Sequence, residues 1–218
     1  MNRIKQISSL INNCQCVYDV GSDHALLAIN LLKSKKCKQV VNIEKNWQPH
    51  NAGKANLAKN HLTTKTINVL NDGLKDITKK VFVQPNYVVI AGMGAKNIIN
   101  ILENKDSKLN KNAKYIIEAN CDVDDLRKYL AKKKWDVVFE DTCLDRTKFY
   151  QIMCVVQGTK QRKINLFEAN FGLITKQKDT KSWFEFLAFS LKKIETKKLH
   201  KISKKFTELH KALRSKVK

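Results

Sequence analysis

Acidic residues are scarce in this chain: 218 residues hold 20 Asp and Glu against 42 Lys and Arg, a net charge of +22. A surplus that large predicts a polyanionic partner, because each neutralised phosphate releases bound counterions. The surplus is mostly lysine, 37 against five arginines, beside 20 asparagines, a bias that AT-rich coding also produces. Coding bias explains lysine over arginine but not the shortage of carboxylates, so nucleic acid is the expected partner. Long apolar runs are missing too. No stretch approaches the roughly 18 uninterrupted apolar residues of a membrane span. The start, "MNRIKQISSLINNCQC", has neither an apolar run nor a small-residue cleavage site. A cytoplasmic protein without membrane contact is expected, and a monomer. Six cysteines occur, none in a Cys-x-x-Cys pair. They read as small core residues in a reducing compartment, with no metal site. The three-glycine dinucleotide fingerprint is also absent, which counts against a nicotinamide cofactor.

What is present is an alternation. "CVYDV" (16–20), "QVVNI" (39–43), "TINV" (66–69), "NYVVIA" (86–91) and "YIIE" (115–118) are short β-branched runs. Between them lie "HALLAINLLKS", "NWQPHNAGKANLAKNH", "AKNIINILEN" and "VDDLRKYLAKKKW", with apolar residues at helical spacing. Such alternation predicts right-handed βαβ units and a parallel sheet covered on both faces. Two more strands, "DVVFED" (136–141) and "YQIMCVV" (150–156), follow with only "TCLDRTKF" between them, so they should pair antiparallel. The predicted class is α/β, Rossmann-like: a parallel sheet closed by an antiparallel terminal strand. That layout is similar to class I methyltransferases, and ordinary dinucleotide dehydrogenases lack the terminal hairpin.

Beyond residue 158 no further strand is expected. Residues 160–218 hold 17 Lys and Arg against five Asp and Glu, more than half of the net charge. Phe184, Leu187, Leu191 and Ile194 step by three and four, as do Leu199, Ile202, Phe206, Leu209 and Leu213. The two series are out of register, which predicts two helices folded into an antiparallel coiled-coil hairpin. The expected domains are therefore 1–158, binding a cofactor, and 159–218, basic and all-α.

Ligands of an open α/β sheet bind outside the carboxyl ends of its strands. After the first strand comes Asp19-Val-Gly21-Ser-Asp23-His24, where Gly21 permits a tight turn close to a ligand. After the second come Glu44 and Lys45. An acid there can accept from both ribose hydroxyls, although taken alone it is equally a surface Glu. After the third comes Asn71-Asp72-Gly73. Asp72 could accept from the amine of adenine, and Asn-Asp-Gly is also ordinary turn chemistry. After the fourth, Ala91-Gly92-Met93-Gly94 leaves an open shelf for a substrate. The four together describe an S-adenosylmethionine site.

"DVGSDHALLAINLL", "NIEKN", "NDGL", "IAGMG" and "FGLITKQ" together resemble the TrmK family of bacterial tRNA adenine N1-methyltransferases. The resemblance implies methylation of N1 of adenine 22 in the D-arm of tRNA by a Rossmann-like domain carrying a C-terminal coiled coil. Two departures stand out: Gly94-Ala95 where the family has Gly-Gly, and Glu118-Ala119-Asn120 where it usually has Gln-Pro-Asn. Adenine N1 has a free lone pair, so catalysis should be mostly positioning. The product base is cationic, and a nearby carboxylate would stabilise it. Asp23 is the candidate for that role. His24 would orient it or stack near the methionine part, though a first-turn residue facing solvent is the alternative, and Asn120 matches the family. N1 lies on the Watson–Crick edge, so the target must leave any pair it makes. A catalytically silent RNA-binding protein, or a methyltransferase of another RNA, is the alternative.

Overall fold

The β-branched runs do form strands, and the helices fall between them. The chain runs α1 (Arg3–Ser9), β1 (Cys14–Val20), α2 (Leu26–Lys33), β2 (Cys37–Glu44), α3 (Trp47–Lys59), β3 (Thr66–Leu70), β4 (Tyr87–Met93) and α4 (Ala95–Glu103). It continues through β5 (Lys114–Ala119), α5 (Val123–Lys132), β6 (Trp135–Asp145), β7 (Lys148–Gln157), α6 (Leu166–Phe171) and α7 (Thr180–Lys197). The computed structural model describes residues 3–197 and Lys211. The series Leu199 to Leu213, and with it the second helix of the expected hairpin, lies outside the described residues; so do the side chains of 194–197.

All seven strands join one sheet in the order β3-β2-β1-β4-β5-β7-β6. Pairings from β3 through β5 are parallel, while β7 is antiparallel to both β5 and β6. The terminal strand is thus inserted antiparallel, as its missing crossover helix requires. The hairpin is tighter than the sequence suggests. The ladder continues through Thr142↔Gln151 and Leu144↔Phe149 to Asp145↔Lys148. Most of "TCLDRTKF" is therefore strand, and the turn is only Arg146-Thr147. Arg146 takes the left-handed conformation (φ 56°) that Asn or Gly usually supplies in such turns, which is why no turn signal shows in the sequence.

Alternation along the strands divides the core. Tyr18, Val20, Ile43, Ile90 and Ile117 point to the face covered by Ile98 and Leu102 of α4 and by Leu126 and Leu130 of α5. Val17, Val40, Val89 and Ile116 point to the other, under Ile7 of α1, Ala28 and Leu31 of α2 and Leu57 of α3. Right-handed crossovers force this division: connections that run to opposite sides of β1 place their helices on opposite faces.

The segment after β7 closes over the end of the sheet. Trp183 and Leu187 of α7 bury against Phe171, and the Trp183 indole donates to the Phe171 carbonyl at 2.6 Å. The buried seam therefore starts at Trp183; Phe184, expected there, is 39% exposed. An indole fills the gap beside Phe171 and its N–H finds a carbonyl, while Phe184 lies one helical step around. A buried ion pair anchors the same segment. Arg127 lies 2.8 Å from the Glu140 carboxylate and donates to Gln151 and to the Ala169 carbonyl. Glu140 also accepts from the Leu173 amide and the Gln177 side chain, both at 3.0 Å.

Removing one partner of a buried pair leaves an uncompensated charge. Arg127→Met should lower the unfolding free energy by about 3–5 kcal/mol, measured by chemical denaturation. A loss below about 1 kcal/mol would mean that the pair contributes no more than a surface contact does.

Candidate active site

The sheet order changes direction at β1, whose neighbours β2 and β4 lead to opposite edges. At their carboxyl ends the loops part around a cleft of about 440 Å³. Gly21 and Asp23 line it after β1, and Glu44, Lys45 and Asn46 after β2. Asn71, Asp72 and Gly73 follow after β3, with Ala91, Gly92 and Met93 from β4. A second cavity, about 180 Å³, shares Gly21, Asp23 and Ala91 and is also lined by Asp19, His24 and Leu26. The strand-end residues singled out in the sequence after β1, β2 and β3, and Ala91, Gly92 and Met93 after β4, thus border one cavity or the other, whereas Gly94 and Asn120 do not. The side-chain amide of Asn120 donates to the Gly92 carbonyl at 2.6 Å and its oxygen accepts from Arg3 at 3.1 Å.

Gly21 has φ 75°, and a Cβ there would stand 2.2 Å from the Met93 Cε. The positive φ is what favours glycine at the turn after β1, since the facing Met93 methyl sits at the end of a flexible side chain. The loop then strains further: Asp23 and Ala25 are left-handed, at φ 45° and 57°, a conformation that costs an L-residue roughly 1–2 kcal/mol. Consequently α2 starts only at Leu26, and His24 is a loop residue rather than part of the first turn. Its Nε2 lies 3.7 Å from the Asp23 carboxylate, and both side chains are more than half exposed.

Glu44 is buried, not a surface acid. Its carboxylate accepts from the amides of Lys45 and Asn46, both at 2.9 Å, and of Asp23 at 3.3 Å. One side chain therefore ties the loop after β2 to the loop after β1. Asp72 is exposed and ion-paired with Lys45 at 3.1 Å. The turn around it is held by its neighbour, since the Asn71 side chain donates to the carbonyls of Gly73 and Lys75. Asp19 is buried beside Glu44. Burial, then repulsion from Glu44, pushes its carboxyl up to about 7.

Several lining residues carried no sequence signal. Arg3 borders both cavities from α1, a helix not foreseen at all. Asn97, Asn100 and Ile101 reach the main cleft from α4. Their only trace is a polar Asn97–Asn100 spacing on one side of that helix. Among the described residues no cluster of His, Cys, Asp and Glu could hold a metal ion. None of the helices described is long and apolar enough to cross a membrane.

A family model described as a methyltransferase domain matches residues 1–153. A Mycoplasma genitalium protein, which its name assigns provisionally to the tRNA methyltransferases, is 29% identical over 168 residues, 74% of this chain and 72% of its own. The tRNA (adenine(22)-N(1))-methyltransferase of Bacillus subtilis is 24% identical over 172 residues, covering 79% and 71%. Among solved structures, M. capricolum TrmK in complex with S-adenosyl-homocysteine superposes with a TM-score of 0.80 at 26% identity, covering 99% of this chain and 96% of that one. A match over residues 1–153, bearing the sheet and both cavities, settles the matter of kinship: the chain belongs to the methyltransferase-domain family.

Proposed function

We propose that this protein transfers a methyl group from S-adenosylmethionine to N1 of adenine 22 in the D-arm of tRNA, in the cytoplasm. The observation that carries the proposal is an acid-lined cleft at the switch point of a methyltransferase fold. It is joined to near full-length similarity with a TrmK structure holding S-adenosyl-homocysteine. The donor set fits that cofactor. Glu44, Asp72, Asp19 and Asp23 offer carboxylates to hydroxyls, an amine and positive charge, and Gly21 keeps clear a space that a Cβ would fill. A cleft of this size lies within the roughly 300–1,000 Å³ of small-ligand sites.

Bound there, S-adenosylmethionine supplies a methyl group already activated on a sulfonium. Glu44 would accept from the ribose hydroxyls while keeping its own loop in place. Asp72, ion-paired with Lys45, would accept from the adenine amine. Asp19 and Asp23 would hold the charged methionine end, with Leu26 beside them. Asp23 borders both cavities, so its carboxylate also faces the base that becomes cationic, with His24 orienting it. No general base is needed, because N1 already has its lone pair. Asn120 acts through Gly92 and is a positioning residue.

The direct test is to incubate tRNA transcript with purified protein and S-adenosylmethionine and map the modified nucleotide. N1-methyladenosine at position 22 is expected, and Glu44→Ala should abolish most of it through lost cofactor affinity. Methylation elsewhere, or cofactor binding without turnover on any tRNA, would overturn the assignment in favour of another RNA or a silent binder.

Asp19 adds a pH signature. Its folded pKa, about 7, lies above the ordinary 3.8, so the unliganded protein loses stability as pH rises between those values. Only the ionised form pairs with an ammonium group. Affinity for S-adenosylmethionine should therefore rise as pH climbs from 6 to 8, by up to about tenfold per unit below the pKa, and Asp19→Asn should flatten the profile. Calorimetry across that range checks it.

The basic C-terminal segment would hold tRNA phosphates without reading sequence. The chain beyond α7, residues 198–218, contains eight Lys and Arg and one Glu. Truncation after Lys197 keeps the full length of α6 and α7 in the chain. Such a truncation should leave cofactor binding intact, weaken tRNA binding and flatten its salt dependence, by about 0.7–0.9 log unit per lost phosphate contact. Equal affinities and parallel salt plots would assign RNA binding to the catalytic domain alone.

A further inference from the structure

Glu118 has no solvent exposure, yet it carries a carboxylate at the end of a central strand. Its Oε2 accepts from the Gly92 amide at 3.0 Å and from Arg3 Nη1 at 3.2 Å. Its Oε1 finds no hydrogen-bond partner among the described residues. The carbonyl of the same residue, in the next peptide along, is held by Asn120, whose side chain donates to it and whose backbone amide donates to the Met93 carbonyl at 2.8 Å. Arg3 Nη1 bridges the two, donating to the Asn120 oxygen as well. The guanidinium is itself fixed, since its carbon lies 5.0 Å from the centre of the Tyr150 ring and the Arg3 amide donates to Asp145. Segments distant in sequence, α1 and the end of β5, thus converge on the two peptides that flank Gly92 in the shelf.

A neutral Gln at position 118 could accept from the Gly92 amide without a counter-ion. The acid here cannot stay ionised in a buried site unless a cation accompanies it. We propose that Arg3 and Glu118 form a charge-neutralised clamp on the Gly92 amide, and that this clamp positions the Gly92–Met93 shelf for methyl transfer. Both are positioning residues, acting through the backbone rather than on the cofactor. The inference rests on the methyltransferase reading above and adds to it a dependence on the N-terminal helix.

The surroundings of Glu118 fix the sign of the pH effect. Arg3 faces it from α1 and the Gly92 amide from β4. Lys148 of β7 acts on it more weakly and is bonded to the Asn120 carbonyl at 3.1 Å. On β6, Cys143 is pushed up to about 11, chiefly by burial, with the charges of Asp141, Asp145 and Glu118 adding to it. Burial already holds the Glu118 carboxyl above its usual range, opposed first by Arg3. Without Arg3 the folded state would bind that proton still more tightly than the unfolded chain does. The clamp would then weaken as pH rises.

The experiment follows kcat for tRNA methylation and cofactor affinity from pH 6.5 to 8.5 in the wild type, Arg3→Met and Arg3→Met/Glu118→Gln. Arg3→Met should lose about tenfold in kcat relative to wild type over that range, equivalent to one pKa unit, with a smaller change in cofactor affinity. The double variant should recover most of the loss and follow the wild-type profile, since the neutral amide needs no counter-ion. Arg3→Met running parallel to wild type, or a double variant as impaired as the single one, would overturn the clamp. Should Arg3→Met fail to fold, amide exchange in the wild-type protein decides. Gly92 should be strongly protected, and exchange at the rate of an unstructured chain would overturn the proposal. A wild type that methylates no tRNA but protects Gly92 would instead sink the substrate assignment and leave the clamp standing.

Discussion

The handedness of the strand connections governs the rest of this structure. Right-handed crossovers running from β1 toward β3 place α2 and α3 on one face, and those from β4 toward β5 place α4 and α5 on the other. Loops leaving the adjacent ends of β1 and β4 must therefore diverge. The opening between them is a consequence of chirality, and the cleft sits in it. Two left-handed residues, Asp23 and Ala25, lie at the same place, their conformational cost offset by the sheet behind them.

Side chains at the strand ends then convert an opening into a site by fixing loops to one another. Glu44 joins the loops after β1 and β2 through three backbone amides, and Glu118 with Asn120 fixes the shelf after β4. Both carboxylates are buried, Glu44 accepting from three backbone amides and Glu118 from the Gly92 amide beside Arg3. Such bonds are worth more in a low dielectric, and leaving one unmade is correspondingly expensive. The geometry of the cleft is thereby set before any ligand arrives.

Charge is distributed in opposition. The chain is strongly cationic, yet the cleft gathers Asp19, Asp23, Glu44 and Asp72 at its walls. A cationic exterior attracts a polyanion, and an acidic interior favours a cationic cofactor and a product base that gains positive charge. The two tendencies do not cancel, because screening confines each to its own region within roughly 10 Å.

Local residue order alone determined the strands, the alternation with helices, the antiparallel final strand and the strand-end positions that border the cavities. These follow from short-range preferences: β-branched runs, helical spacing, and a connector too short for a crossover. The family motifs likewise lie within single loops. Tertiary structure alone decided what depends on distant segments. Arg3 enters the site because α1 packs on the sheet more than a hundred residues from Glu118. Trp183 replaces Phe184 in the core because only contact with Phe171 defines the buried side of α7. Asn120 turns from the cavity toward Gly92, and the buried Glu118 meets Arg3, because β4 and β5 are neighbours whose ends meet α1. Hydrogen bonds and ion pairs of that kind join positions between which the sequence holds no periodicity, so only the folded chain brings them within range.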